Sequence, residues 1–285
     1  MNKKIRVIRS SEIKEKVKEL FISANYFLPN SLEKRIKECR QLETQALPAT
    51  VLDRIVDNIS VAKELGVPVC QDTGMAIVFA ELGQDVHIEG DTLEEAINCG
   101  VREAYLEGAL RCSVVGDPLF CRENTGDNTP AVIYLKTAAG DKIRIKAIPK
   151  GFGSENMSAI KMFKPTATEE DIMDFVLETV RSAGSNPCPP IIVGVGIGGS
   201  FDSCAVLSKE ALTRDADDRN ASEDYARMES ELLERINRLN IGPQGFGGRT
   251  TALAVKINQA PTHIAGLPVA VNISCHVSRH AEGEI

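Results

Sequence analysis

NPCPPIIVGVGIGGS, residues 186–200, decides between two architectures. Its apolar run Ile191–Val193 reads as a buried strand, and GVGIGG at 194–199 satisfies the G-x-G-x-x-G spacing of a dinucleotide-binding turn. A doubly wound parallel sheet would then need further strand–helix–strand units downstream. The residues after Ser200 do not supply them. They read as a helix over 201–212, a long charged helix over about 222–239, and then two strands, TALAVKI (251–257) and LPVAVNI (267–273). The pattern therefore predicts an α+β fold with small mixed or antiparallel sheets. Three readings of the glycines stay open: a dinucleotide site, a turn whose amides and helix N-terminus hold an anion, and a turn needed only for packing.

Upstream, the first 66 residues read as a helical section. Ile13, Val17, Leu20, Phe21, Ala24 and Leu28 recur at helical spacing, a short charged helix covers 31–42, and a stripe from Val51 to Leu65 closes at Gly66. Residues 67–285 then read as one α/β region, so that 1–285 forms one catalytic unit. Within it, Met75–Glu81 reads as a buried strand and Asp91 with Glu94 as a capping box for a helix to about Leu106. Residues 131–137 and 142–148 read as a hairpin around AAGD, and Thr168 as the cap of a helix that stops at Gly184.

Composition narrows the class. The 285 residues are enough to bury a core without disulfide staples. Thirty-three basic against 40 acidic residues give a net charge of −7, which excludes a nucleic-acid partner for the chain as a whole. No apolar run approaches a bilayer span, and the basic N-terminus leads into an amphipathic pattern rather than a signal-peptide core, so a cytoplasmic protein is expected. Eight cysteines lie at 39, 70, 99, 112, 121, 188, 204 and 275 without a CxxC pair, and four histidines offer no zinc-finger spacing. Cys39, Cys99 and Cys204 fall in helical patterns and read as ordinary thiols. Cys70, Cys188 and Cys275 differ: each occupies a turn or the end of an element, where the backbone can aim a thiolate.

CQDTG (70–74), KGFGSENMS (150–158), NPCPPIIVGVGIGGS (186–200), NIGPQGFGG (240–248) and PTHIAGLPVAVNISCHVSRH (261–280) run in this order along the chain. With them the sequence resembles the class I fumarate hydratases and related L(+)-tartrate dehydratases, and within that family the α subunit of the two-subunit, iron–sulfur form. The resemblance implies a 4Fe–4S cluster held by Cys70, Cys188 and Cys275. Three ligands would leave one iron free to act as a Lewis acid on a small dicarboxylate. It also implies substrate-binding roles for Gln71, Arg111, Gly153 and His263, and a catalytic role for Asp72. Taken alone, Asp72 reads as an Asx turn and Arg111 as a solvated charge. Proline after Cys188 would fix the backbone and remove donors beside a buried thiolate.

The implied reaction is the reversible hydration of fumarate to (S)-malate, which GGRTTALAVKI and CHVSRH favour. L(+)-tartrate dehydration is the alternative, and a non-enzymatic iron–sulfur scaffold or sensor a more distant one. Single-chain relatives continue into a second half. The implied partner is therefore a β subunit carrying that half, in an α2β2 assembly, without which the chain is inactive. Phe152 stands where many relatives have a third glycine, and His276 where many have tryptophan. His276 and His280 read as supporting or interface groups, and Lys150 equally as a source of positive potential or as a surface lysine.

Overall fold

The computed structural model describes residues 5–285. In chain order the elements are β1 (Arg6–Arg9), α1 (Ser10–Tyr26), α2 (Asn30–Leu42), α3 (Ala46–Leu65), β2 (Met75–Gly83), β3 (Val86–Glu89) and α4 (Leu93–Glu107). There follow β4 (Val132–Ala138), β5 (Ile143–Lys150), the single turn α5 (Phe152–Glu155), β6 (Ala159–Phe163), α6 (Glu169–Ala183), β7 (Ile191–Gly199) and α7 (Phe201–Ala211). The chain closes with α8 (Glu223–Asn237), β8 (Ala252–Thr262), β9 (Leu267–Ser274) and β10 (Ala281–Glu284). The α+β class expected from the sequence is the class observed. No described helix is long and apolar enough to cross a membrane.

Two compact units are each assembled from separate stretches of chain. Among the described residues the first takes 5–28, 61–151 and 279–285, the second 29–60 and 152–278. In the first unit a four-stranded sheet has the order β10-β5-β2-β4, with β1 and β3 paired in parallel beside it. β2 is antiparallel to β5 and parallel to β4. The expected hairpin between β4 and β5 is therefore not formed. MAIVFA is apolar on both faces and almost wholly buried, so β2 takes the central place and separates the two. The β2–β3 turn instead nests in the 138–142 turn, with Gly83 N–H donating to Lys142 O and Asp85 N–H to Gly140 O. α1 and α4 cover the sheet with Ile13, Val17, Phe21, Ile97, Val101 and Tyr105. Gly100 permits their close approach, since a β-carbon there would lie 2.6 Å from Lys14 O.

Local signals are mostly realised one residue or less from where the sequence puts them. α4 is capped by Thr92 with Glu95 in a capping box, not by Asp91 with Glu94; Asp91 instead pairs with Ser10. Thr168 caps α6 with Asp171, and α6 ends at Gly184, as read. Gly66 follows α3 with φ of 62°. Residues 6–9, read as part of a helical section, form β1 because they find a partner in β3.

The second unit carries a sheet of order β6-β9-β7-β8, with β7 parallel to β8 and antiparallel to β9. Its strand β7 resolves the glycine question: the strand continues through GVGIGG to Gly199. Val193, Val195 and Ile197 face a core shared with Val176 and Val180 of α6 and Leu232 of α8. On the opposite face Gly194 and Gly196 meet α7. A β-carbon at Gly194 would sit 2.1 Å from Ser208 O, and one at Gly196 2.2 Å from Cys204 O. Those two glycines serve helix–sheet packing, and only Gly198 and Gly199 turn the chain, with φ of 89° and 74°.

Candidate active site

In the first unit, CQDTG forms the bend between α3 and β2, and several buried groups pin it. Tyr105, 1% exposed, donates its hydroxyl to Thr73 O at 2.8 Å and reaches Gly74 O at 2.9 Å. Burial pushes the Tyr105 phenol well above its ordinary pKa, so the hydroxyl remains a donor. Buried Asn128 donates Nδ2–H to Gly74 O at 3.1 Å while its Oδ1 accepts from Ser113 N–H at 2.7 Å. Gly74, with φ of 78°, lies so near Lys150 that a β-carbon would come within 2.7 Å of its backbone.

Thr73 joins this bend to Arg111. Its Oγ1 accepts from Arg111 N–H at 2.8 Å and donates to Arg111 O at 3.2 Å. The threonine is 2% exposed, whereas the side chains on either side of the bond, Gln71 and Arg111, are exposed. Asp72 forms the Asx turn its local sequence suggests, with Oδ1 accepting from Gly74 N–H at 3.0 Å. Its other oxygen would be 3.1 Å from a β-carbon at Gly151, so the glycine after Lys150 leaves room for the carboxylate. The first unit thus gathers Gln71, Asp72 and Arg111 on one rigid frame.

Sequence reasoning missed Arg279. It is 4% exposed, donates through Nη2 to Asp72 O, and keeps a buried Nε–H without a hydrogen-bond partner. Its only signal in the sequence is a charge inside CHVSRH. Tyr105 and Asn128 carried no signal either, since their partners lie tens of residues away. Lys150 is corrected: at 2% exposure it is not a surface lysine, and its Nζ donates to Gly151 O at 3.1 Å.

In the second unit, Cys188 stands three residues before β7 and Cys275 directly after β9. The two segments meet, because His276 Nδ1 lies 3.0 Å from Cys188 O. Cys188 is exposed, so the proline beside it does not border a buried thiolate as expected. Gly153 sits in α5, where a β-carbon would meet nothing within 4 Å. His263, also exposed, lies in the turn between β8 and β9, and its Nδ1 accepts from Ala265 N–H at 3.1 Å. That bond leaves the proton of the neutral ring on Nε2.

Among the described residues no three His, Cys, Asp or Glu side chains are grouped as a ready metal site. The chemistry of the thiols sets three of them aside, and exposed Cys121, in a turn, meets the same local criteria as the three proposed ligands. Burial pushes Cys204 up to about 11 and raises Cys39 and Cys112, which disfavours the thiolate that metal binding requires. Cys70, Cys188 and Cys275 all lie in bends or at strand ends, outside helices and outside the fully buried core. As soft donors with accessible positions they suit iron and sulfide.

Comparison with known proteins identifies the family. The family model described as "Fumarate hydratase (Fumerase)" matches residues 14–284. A Methanocaldococcus jannaschii protein named "Putative L(+)-tartrate dehydratase subunit alpha" is 42% identical over 275 residues, covering 95% of this chain and 96% of that one. The "L(+)-tartrate dehydratase subunit alpha" of Escherichia coli O157:H7 is 32% identical over 254 residues, 88% of this chain and 84% of its own. That of Escherichia coli K12 is 31% identical over the same length. A match that spans nearly the whole chain, motifs included, places it plainly: the chain belongs to the fumarate hydratase (Fumerase) family.

Proposed function

We propose that the chain is the thiolate-bearing α subunit of an iron–sulfur hydro-lyase acting on a four-carbon hydroxydicarboxylate, with L(+)-tartrate as substrate. The observation that carries the chemistry is the double hydrogen bond between Thr73 and the Arg111 backbone. It ties the backbone of Arg111, whose guanidinium suits a substrate carboxylate, to the bend that carries Asp72, a carboxylate suited to proton transfer. The substrate rests on the relatives, whose names favour tartrate over the fumarate that the sequence motifs suggested.

Cys70, Cys188 and Cys275 would hold a 4Fe–4S cluster, which when bound supplies a Lewis-acidic iron that polarises the departing hydroxyl. The remaining work belongs to the chain. Arg111 and Gln71 grip and orient the substrate carboxylates. Asp72 removes the proton from the carbon next to one carboxylate while hydroxide leaves the neighbouring carbon. From tartrate the product is an enol that tautomerises to oxaloacetate. Gly153 brings backbone close to the substrate, and His263 offers Nε2–H. A β subunit, in an α2β2 assembly, would complete the site; the printed names of the relatives as "subunit alpha" support a partner.

Fumarate hydration is the second reading, favoured by the description of the matching family. An anaerobic assay of the cluster-loaded chain with its partner separates the two. The expected result is a higher kcat/KM for L(+)-tartrate than for fumarate or malate. Turnover of fumarate alone would reverse the substrate assignment, and turnover of neither by a fully loaded complex would overturn the hydro-lyase reading.

A further inference from the structure

NIGPQGFGG (240–248) has no part in the chemistry above, yet it packs onto the Cys188 loop. Gln244 directs both its backbone N–H and its Nε2–H at one atom, Pro189 O, each at 2.8 Å. The neighbouring carbonyl, Cys188 O, receives His276 Nδ1–H at 3.0 Å and His276 N–H at 3.5 Å. The consecutive carbonyls of Cys188 and Pro189 are thus each held by two donors, which fills both lone pairs. What they hold is unusual: Cys188 has φ of 56°, in the left-handed region that a β-carbon disfavours.

The loop is built to deliver that grip. Gln244 itself has φ of 53°, and Gly242, Gly245, Gly247 and Gly248 around it are all left-handed. At Gly245 a β-carbon would fall 2.5 Å from Ser185 Cβ, so only glycine lets the two loops nest. The far end is anchored by buried Glu43, which accepts from Arg249 N–H at 2.7 Å. A half-buried glutamine thus spends two donors on one carbonyl beside an exposed cysteine.

Resting on the iron–sulfur reading above, we infer that Gln244 is a positioning residue: with His276 it clamps the Cys188 loop in its left-handed conformation and so presets the direction of a cluster-binding thiolate. The clamp consists of hydrogen bonds within the chain, so hydrogen exchange can test it apart from the cluster.

The test uses the full chain and three variants. Gln244→Gly keeps the backbone donor and accommodates the left-handed φ while removing the amide. Gln244→Glu keeps the size, but its carboxylate cannot donate. Phe246→Ala, exposed in the same loop, is the control. Hydrogen exchange of the Cys188 amide, which donates to Ser185 O at 3.1 Å, should accelerate about tenfold in both Gln244 variants and stay at the wild-type rate in the control. After anaerobic loading with iron and sulfide, release of iron to a chelator should quicken about tenfold in the same two variants, with an altered electron paramagnetic resonance spectrum once the cluster is reduced with dithionite. Should Gln244→Gly fail to fold, Gln244→Glu carries the comparison. Wild-type exchange and wild-type iron release in both Gln244 variants would overturn the clamp. A wild-type chain that takes up no cluster, while the variants still loosen Cys188, would instead overturn the iron–sulfur reading and the ligand role with it.

Discussion

Replacing Thr73 by valine removes a hydroxyl and keeps the shape of the side chain. The hydroxyl makes two hydrogen bonds, one accepted from Arg111 N–H at 2.8 Å and one donated to Arg111 O at 3.2 Å. Thr73 is 2% exposed, so water cannot readily replace either bond. At about 1 kcal/mol net for each bond, Thr73→Val should cost about 2 kcal/mol. In a unit of this size that lowers its melting temperature by roughly 6–10 °C. Because the bonds tie Arg111 to the bend that carries Asp72, kcat/KM should fall about tenfold or more. Thr73→Ser restores the hydroxyl and should recover most of both losses. Calorimetry and steady-state kinetics on the three proteins check the reasoning. A valine variant that melts and turns over like the serine one would refute the idea that this pair of bonds unites the site.

Other outcomes follow from the same structure. Gly196→Ala would drive a β-carbon to 2.2 Å from Cys204 O and should cost more than about 3 kcal/mol, read as loss of soluble, cooperatively melting protein; an alanine variant within 1 kcal/mol of wild type would contradict the packing role of that glycine. Cys188→Ser should abolish iron uptake under anaerobic reconstitution while Cys204→Ser retains it, and equal iron content in the two would remove the basis of the ligand assignment. Despite the opposing effect of burial, hydrogen bonds from Arg102 and Thr129 lower the Asp127 carboxyl from 3.8 to about 2. A lowered native pKa means that the stability is present above the unfolded value and is lost as acid is added. Unfolding free energy should therefore decline between about pH 4 and pH 2, and this part of the decline should be missing in Asp127→Asn.

What the sequence displayed depended on the range of the interaction. Helix stripes, the Thr168 cap and the Gly184 stop are local and appear where periodicity and capping chemistry put them. The cysteines of helices were separable from those of bends by the same local means. Pairing was not legible. β4 and β5 look like a hairpin because they are neighbours in sequence, and only the burial of β2 on both faces reveals that a third strand must lie between them. The glycines of β7 were ambiguous for a similar reason, because their need for missing side chains arises from α7 rather than from their own turn. Lys150 and Arg279 are charged residues whose burial is decided by distant backbone. For the site, the motifs supplied the candidate residues, while Thr73, Tyr105 and Asn128, which hold them in place, became visible only in three dimensions.

The strand order of the first sheet has a bearing on how the polypeptide leaves the ribosome. β5 lies between β2 and β10, and β10 belongs to the last segment of the first unit. All of residues 152–278 are synthesised between those two neighbours. Translation therefore delivers residues 152–278 of the second unit while one side of β5 still has open amides and carbonyls. A nascent chain paused in that interval exposes a sticky ribbon edge to its neighbours on the polysome. Chaperone binding during synthesis would be most useful in that window, before residues 281–284 arrive to seal it.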